Sequence, residues 1–359
     1  MYYFFSEAVP GALLVLSASF IHNPLVISVI LGILAGVAES IGAVVGVAYF
    51  VAMFLFIPVP FLDWFIRDTY SNSSDHRPFP HDRLAQFLGG LLALFSMLFL
   101  GFADDVLDIR WRVKIWFPFI ASMPLLMVYI ITYGKTDVLI PIPLRFFFPT
   151  ETIHLALTVF STNSINIMAG INGIEGVQSL IIAISLSIND LLQLYINPAR
   201  TEAHLNSLYF LIPFIGVTVG YLRHNWYPAK AFGGDTYAYF AGMIFAVVAV
   251  SFCRLSQTSN ARIRCQDRYG KVKTLFLKNS KFLGRLMVRF LEMVGLADIR
   301  RDPSGAMLDC NNLTIMSIIL VRFGPMSERN LAVCVVLVQV ISSLIAFTIR
   351  YGLVHIVYN

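Results

Sequence analysis

The chain has 359 residues, of which 57% are hydrophobic and only 13% charged, with a mean hydropathy of +0.74. Soluble domains carry about 25% charged residues, so this composition excludes an ordinary water-soluble fold and points to a chain that crosses a membrane several times. The net charge of +5 does not indicate nucleic acid, because the basic residues concentrate late in the chain between apolar runs; a membrane surface or an anionic substrate fits that pattern. The four cysteines, Cys253, Cys265, Cys310 and Cys334, show no Cys-x-x-Cys spacing, which indicates neither a zinc site nor a disulfide framework.

Apolar runs near the roughly 20 residues that a bilayer requires mark the spans. The first lies within residues 9–38, interrupted by His22, Asn23 and Pro24. No basic stretch precedes it and Glu7 is close by, so it reads as a retained span rather than a cleaved signal. The second covers about 41–57 and ends in Pro58 and Pro60. In the polar loop 63–83, the sequon Asn72-Ser73-Ser74 offers Asn72 as a glycosylation acceptor if the loop faces a lumen. The third and fourth spans are about 84–103 and 115–133. Residues 138–144, Val-Leu-Ile-Pro-Ile-Pro-Leu, suit a short edge hairpin outside the membrane.

The fifth to eighth spans fall at about 153–169, 176–195, 208–222 and 236–252. From 254 to 301 the chain turns polar and basic, and Phe282, Leu286 and Phe290 alternate there with Arg285 and Arg289. That pattern predicts a basic amphipathic helix lying in the interface. The apolar run 313–323 is too short to span, and the last span is about 331–349. The fold expected is an all-α polytopic transmembrane bundle of about eight or nine spans with short interfacial helices.

Polar residues stand out at three of the span ends. Asp104, Asp105 and Asp108 follow the third span and crowd one face if the helix continues for another turn. Such crowding is repaid by a divalent cation, a basic partner such as the nearby Arg110, Arg112 or Lys114, or a bound proton; a solvated loop capping the helix is the plainer reading. The fifth span ends in Thr-Asn-Ser-Ile-Asn-Ile-Met-Ala-Gly-Ile-Asn-Gly-Ile-Glu at 162–175, with Asn163 and Asn166 on one face and Asn172 between Gly170 and Gly173. The seventh opens into residues 223–235, ending Phe232-Gly-Gly-Asp235, where the next helix begins and exposed N–H groups favour phosphate. Capping and turn chemistry explain each motif singly. The odd spans, however, deliver all three to one face, and Asp104, Asp105, Asp235 and Asn166 form a hard-oxygen set suited to Mg²⁺ with substrate phosphates and water.

Residues 101–114, 162–175 and 223–235, together with Phe323-Gly-Pro-Met-Ser-Glu-Arg-Asn near the C-terminus, resemble the eukaryotic UDP-N-acetylglucosamine–dolichyl-phosphate N-acetylglucosaminephosphotransferases, which group with the bacterial polyprenyl-phosphate sugar-phosphate transferases. The resemblance extends from Glu39 over most of the chain. It implies a single transmembrane transferase domain over 1–359, with 254–312 as a basic polar segment that carries an amphipathic helix and is altered relative to the family. It further implies a multi-pass endoplasmic reticulum protein whose site faces the cytosol. There, UDP-GlcNAc and dolichyl phosphate give dolichyl-diphosphate-GlcNAc and UMP, the first committed step of the lipid-linked oligosaccharide for N-glycosylation.

Carried over residue by residue, the resemblance assigns Mg²⁺ to Asn166 and Asp235, the diphosphate to Lys114, and the lipid phosphate or charge balance at the metal to Asp104 and Asp105. Uracil falls to Asn172 and the backbone near Gly170 and Phe232, and the nucleoside to Glu39, whose Ala-Glu-Ser lacks the family's proline. Arg262 and Arg264 match only in part a motif that reads the sugar. Membrane lipids surround such a protein, and a homodimer is among the assemblies it allows.

Two stretches depart from the family. Residues 24–37 are apolar where a Lys-bearing loop is expected, and Val250 runs directly into the basic segment where a further span is expected. With a lumenal N-terminus, that segment would lie in the lumen, against the positive-inside tendency. An inactive or truncated isoform with an assembly role therefore stays open beside the enzyme. A multi-pass transporter is the other alternative, and it predicts helices broken near the bilayer centre.

Overall fold

The computed structural model describes residues 41–55, 57–61, 64, 79–114, 116–133, 150–196, 201–251, 275–276, 292–293, 299–301, 307–310 and 315–353. The first span, Glu39, Asn72, the 138–144 segment, Arg262, Arg264 and the amphipathic stretch 282–290 lie outside these residues.

Within them the chain is a helical bundle. In order come α1 (Ile41–Leu55), α2 (His81–Leu107), a single turn at Trp111–Lys114, α3 (Phe117–Tyr133), α4 (Thr150–Met168), α5 (Ile174–Ile196), α6 (Thr201–Asn225) and α7 (Gly234–Ser251). After them come three short strands, β1 (Leu275–Phe276), β2 (Ile299–Arg301) and β3 (Met307–Cys310), then α8 (Ile315–Phe323) and α9 (Glu328–Thr348), which passes into a π turn at Ile349–Leu353. Five helical stretches are long and apolar enough to cross a membrane, and two shorter apolar helices, Phe117–Val128 and Gly234–Ala249, accompany them. The expected all-α polytopic bundle is therefore present, with one small addition. In the basic segment β3 pairs antiparallel with both β1 and β2, Leu275 opposite Cys310 and Arg300 opposite Asp309.

Helix α7 is the centre of the bundle. It packs most heavily on α2 and α4 and also on α1, and Tyr237, Ala238, Phe240, Ala241, Met243, Ile244, Ala246 and Val247 are all inaccessible. A helix apolar on every side belongs in a protein core or a bilayer, and α7 is enclosed by its neighbours. Glycines bring those neighbours close. A Cβ on Gly101 of α2 would lie 2.7 Å from Thr236 Cα, one on Gly242 of α7 would lie 2.4 Å from Thr162 Cα in α4, and one on Gly42 of α1 would lie 2.0 Å from the Gly233 carbonyl oxygen. Close backbone approach through small residues is how membrane helices associate where lipid removes the hydrophobic drive.

The ends of α2 differ from the sequence expectation. Helix α2 stops at Leu107, and Asp108 takes a left-handed conformation (φ 46°), its N–H donating to the Asp104 carbonyl. The turn swings Asp108 into an exposed position, so two carboxylates face inward rather than three. A short-side-chain Asp tolerates this conformation, and the chain then reverses into the Trp111–Lys114 turn.

Replacing Gly242 with Val forces new atoms into the α4 backbone, an overpacking cost of about 1–3 kcal/mol or more. Gly242→Val should lower the unfolding midpoint of the detergent-purified protein strongly. Gly352→Ala, where an added Cβ meets nothing within 4 Å, should leave it unchanged; equal midpoints for the two variants would refute the close α4–α7 contact.

Candidate active site at the converging helix ends

Gly101 sits one turn before the aspartates, so the tight α2–α7 contact delivers Asp104 and Asp105 onto the first turn of α7. Asp105 caps that helix. Its Oδ1 accepts from the Asp235 N–H at 2.7 Å, and its Oδ2 accepts from the Thr236 N–H at 2.9 Å and also from the Thr236 hydroxyl. Satisfying the free N–H groups of a helix N-terminus with a carboxylate from another helix fixes the angle between the two.

Asp104 is held differently. Its Oδ1 accepts from the Ile109 N–H at 3.0 Å, which ties the exiting chain back onto α2. Its Oδ2 pairs with Lys114 Nζ at 2.8 Å, and its hydrogen bonding is otherwise incomplete. The same ammonium donates to Asp235 Oδ2 at 2.9 Å. One lysine thus stands between two carboxylates from different helices, with side-chain exposures of 13% for Lys114, 0% for Asp104 and 6% for Asp235. Burial pulls the lysine pKa down, but the bonds and charges of Asp104 and Asp235 outweigh it and hold the pKa above the ordinary 10.5. A raised lysine pKa adds stability that is in place below the ordinary value and is lost only as pH rises past the folded-state one. The cation therefore persists throughout the neutral range.

The asparagine motif is carried by α4, which packs against α7. Asn166 lies one turn beyond Thr162, where α4 touches α7, and is half-buried. The Asn163 carboxamide is spent on its own helix, donating to the Val159 carbonyl at 2.8 Å. Gly170 and Asn172 sit in the turn between α4 and α5, and Phe232 is exposed on the α6–α7 connection. Asp104, Asp105, Lys114 and Asp235 are in direct contact, whereas Asn166 lies on α4 and Gly170, Asn172 and Phe232 lie on the neighbouring connections, none of them bonded to that cluster among the described residues.

Sequence reasoning passed over several participants. Thr236 shares the Asp105 cap, and its place after Gly-Gly-Asp was the available signal. Glu175 is buried under the turn and accepts from the Tyr221 hydroxyl at 2.7 Å; Tyr221 in turn stacks on Tyr237 with ring centroids 4.3 Å apart. Glu328, inside the C-terminal motif, accepts from the Asn172 N–H at 2.9 Å.

For Mg²⁺, the donor chemistry is the test. Among the described residues no three His, Cys, Asp or Glu side chains gather into a cage. Mg²⁺ does not need one, since it favours one or two protein carboxylates plus phosphates and water. Asp235, the under-bonded Asp104 Oδ2 and the Asn166 amide supply oxygens of that kind, so the residues present fit the ion.

Residues 87–253 match the family model described as glycosyl transferase family 4. Three UDP-N-acetylglucosamine–dolichyl-phosphate N-acetylglucosaminephosphotransferases are similar over nearly the whole chain. That of Schizosaccharomyces pombe is 36% identical across 90% of this chain and 84% of its own length. That of Saccharomyces cerevisiae is 32% identical across 89% and 83%, and that of Dictyostelium discoideum 34% identical across 89% and 78%. The chain belongs to this family of transferases. It is a glycosyl-1-phosphate transferase by this membership, with the matched region running from α2 to α7 and its long apolar helices suited to a membrane. The alignment with the fission-yeast transferase spans 375 residues, more than the 359 of this chain, so it includes stretches of the relative that have no counterpart here.

Removing Lys114 leaves two carboxylates buried side by side without a cation, which costs about 3–5 kcal/mol in comparable pairs. Lys114→Met should be strongly destabilised, and adding Asp104→Asn should return part of the loss. A double-mutant cycle on the unfolding free energy measures the coupling; additive effects would show that the lysine does not hold the pair.

Proposed function

We propose that this chain transfers GlcNAc-1-phosphate from UDP-GlcNAc to dolichyl phosphate. An oxygen of the lipid phosphate attacks the β-phosphorus, the bond from that phosphorus to the bridging oxygen breaks, and UMP leaves with the electron pair. The observation that carries the reading is Lys114 held between Asp104 and Asp235 at the mouth of a helix N-terminus. Phosphoryl transfer asks for positioning and charge neutralisation rather than covalent help. In this site the ammonium can turn from its carboxylates to an incoming diphosphate, whose oxygens replace them as acceptors. Asp105, with both oxygens engaged on α7, keeps the first turn of that helix in place while the acceptor binds. Mg²⁺, when bound by Asp235 and Asn166, would neutralise the diphosphate and polarise the β-phosphoryl group.

The uridine would lie between the α4–α5 turn, with Gly170 and Asn172, and the α6–α7 connection, with Phe232. The long apolar helices fit a lipid acceptor that enters from the bilayer. The proposed substrates ask for a site at a membrane–water interface, since nucleotide sugars are water-borne and dolichyl phosphate is not; the same reading takes that interface to be the cytosolic side of the endoplasmic reticulum. The transporter reading lacks support from the described helices: α3 and α6 run through Pro124 and Pro213 without interruption, and the charged groups gather at helix ends.

Transfer of label from UDP-GlcNAc to dolichyl phosphate should require Mg²⁺ in sealed microsomes expressing this chain and should proceed with nucleotide added outside. Asp235→Ala should reduce it at least a hundredfold. No product from the stably inserted parent chain would reject catalysis and favour the inactive isoform with an assembly role.

A further inference from the structure

Asn225 is the last residue of α6 and is wholly inaccessible. Both halves of its carboxamide are used, in opposite directions along the chain. Oδ1 accepts from the Gly173 N–H at 2.9 Å, and Nδ2 donates to the Ala231 carbonyl at 2.9 Å. The two partners fix the orientation of the amide, because only the oxygen can face an N–H and only the nitrogen can face a carbonyl. Gly173 closes the α4–α5 turn in a left-handed conformation (φ +80°), where a Cβ would press on Trp226 Cε3 at 3.0 Å. Ala231 immediately precedes Phe232 in the other connection, which is also tied down by the Lys230 N–H donating to the His224 carbonyl at 2.8 Å.

We propose that Asn225 is a positioning residue for the nucleotide: its carboxamide sets the separation of the two loops that flank the uridine, and so governs donor affinity and base selectivity without touching the reacting atoms. The inference rests on the transferase reading above. One side chain bonds a turn bearing Gly170 and Asn172 to a connection bearing Phe232, and no backbone hydrogen bond links those two loops among the described residues. Asparagine is required for this because the site needs one acceptor and one donor a single amide apart. Aspartate would place a charge against the Ala231 carbonyl, and serine is too short to reach both groups.

The fold does not depend on this bridge alone. Helices α5 and α6 are joined independently by Tyr221 to Glu175 at one end. At the other end, His204 Nδ1 lies 2.8 Å from Asp190 Oδ1 and Ser207 donates to the other carboxylate oxygen. Loss of Asn225 should therefore loosen the loops while the bundle stays assembled. That separates a positioning role from a merely structural one.

The test uses the full-length chain in detergent–lipid micelles, with steady-state kinetics in each substrate and equilibrium binding of labelled UDP. Asn225→Asp and Asn225→Ser should raise KM for UDP-GlcNAc roughly tenfold, about the loss of one buried hydrogen bond. KM for dolichyl phosphate should stay within twofold and kcat should change less than KM. UDP should bind correspondingly more weakly, and the preference for UDP over CDP in competition should narrow. Gly173→Ala disturbs the same turn from its other side and should give the same selective pattern, which keeps the test open if an Asn225 variant does not fold. Unchanged donor KM in folded variants, or a fall in kcat with both KM values unmoved, would overturn the positioning role. A parent chain that neither transfers nor binds UDP would instead overturn the transferase reading on which the role rests.

Discussion

The site depends on the contact between α2 and the first turn of α7. Any side chain at Gly101 would collide with the Thr236 backbone, and without that approach Asp105 could not reach the N–H groups of Asp235 and Thr236. The cap and the close packing are one feature described from two sides. Glycine removes the obstacle, and the carboxylate then supplies the directed bonds that glycine cannot. Because the bonds are made to backbone N–H groups, they fix the position of α7 as a rigid body and place the Asp235 side chain with it.

That placement sets the electrostatics. Asp104 and Asp235 come from helices some 130 residues apart in sequence, yet each is within 3 Å of Lys114 Nζ. In a low-dielectric setting two carboxylates so close need a proton or a cation between them, and here the cation is the Lys114 ammonium. Lysine suits the place better than arginine for a site that must accept phosphate. Its ammonium is a compact point charge on a flexible stem and can exchange one set of oxygens for another, whereas a guanidinium fork locks onto a single planar partner. The arrangement is thus stable before substrate arrives and still open to it.

Much of this was legible in the sequence. Helix existence followed from apolar runs of bilayer length, and the boundaries came within a few residues: the third span expected at 84–103 is His81–Leu107, and the sixth expected at 176–195 is Ile174–Ile196. Span parity brings the aspartate motif and the Gly-Gly-Asp motif to one end of the bundle, where they touch, and Lys114 follows the aspartates closely enough to be suspected as their partner. Two things were hidden. Periodicity alone continues α2 through Asp108, because a left-handed residue leaves no mark on an apolar pattern. Asn225 and Glu328 could not be singled out because their roles are bonds to backbone groups more than fifty residues away, and a sequence does not display which N–H a side chain will meet. The three-stranded sheet was missed for a related reason: strands of two to four residues are too short for alternation to register.

Helix α9 shows how a poorly packed element still takes part in the site. Only 11% of its apolar window is buried, and Leu337, Ile341, Leu344 and Ile345 are exposed along it, as expected of a helix that faces lipid. Since lipid and leucine are equally apolar, such a face contributes little to fixing where the helix sits. Its two ends do so instead. At the start, Glu328 accepts from the Asn172 N–H and Leu331, Ala332 and Val335 pack on Ile171 and Ile174. Beyond the far end, the Tyr351 hydroxyl donates to Asn189 Oδ1 and accepts from Gln193 Nε2. Polar bonds at both ends, with an indifferent middle, hold α9 in register against α5. The Asn172 turn is consequently supported from outside by the C-terminal helix and from within by Asn225, so two remote parts of the chain act on one loop.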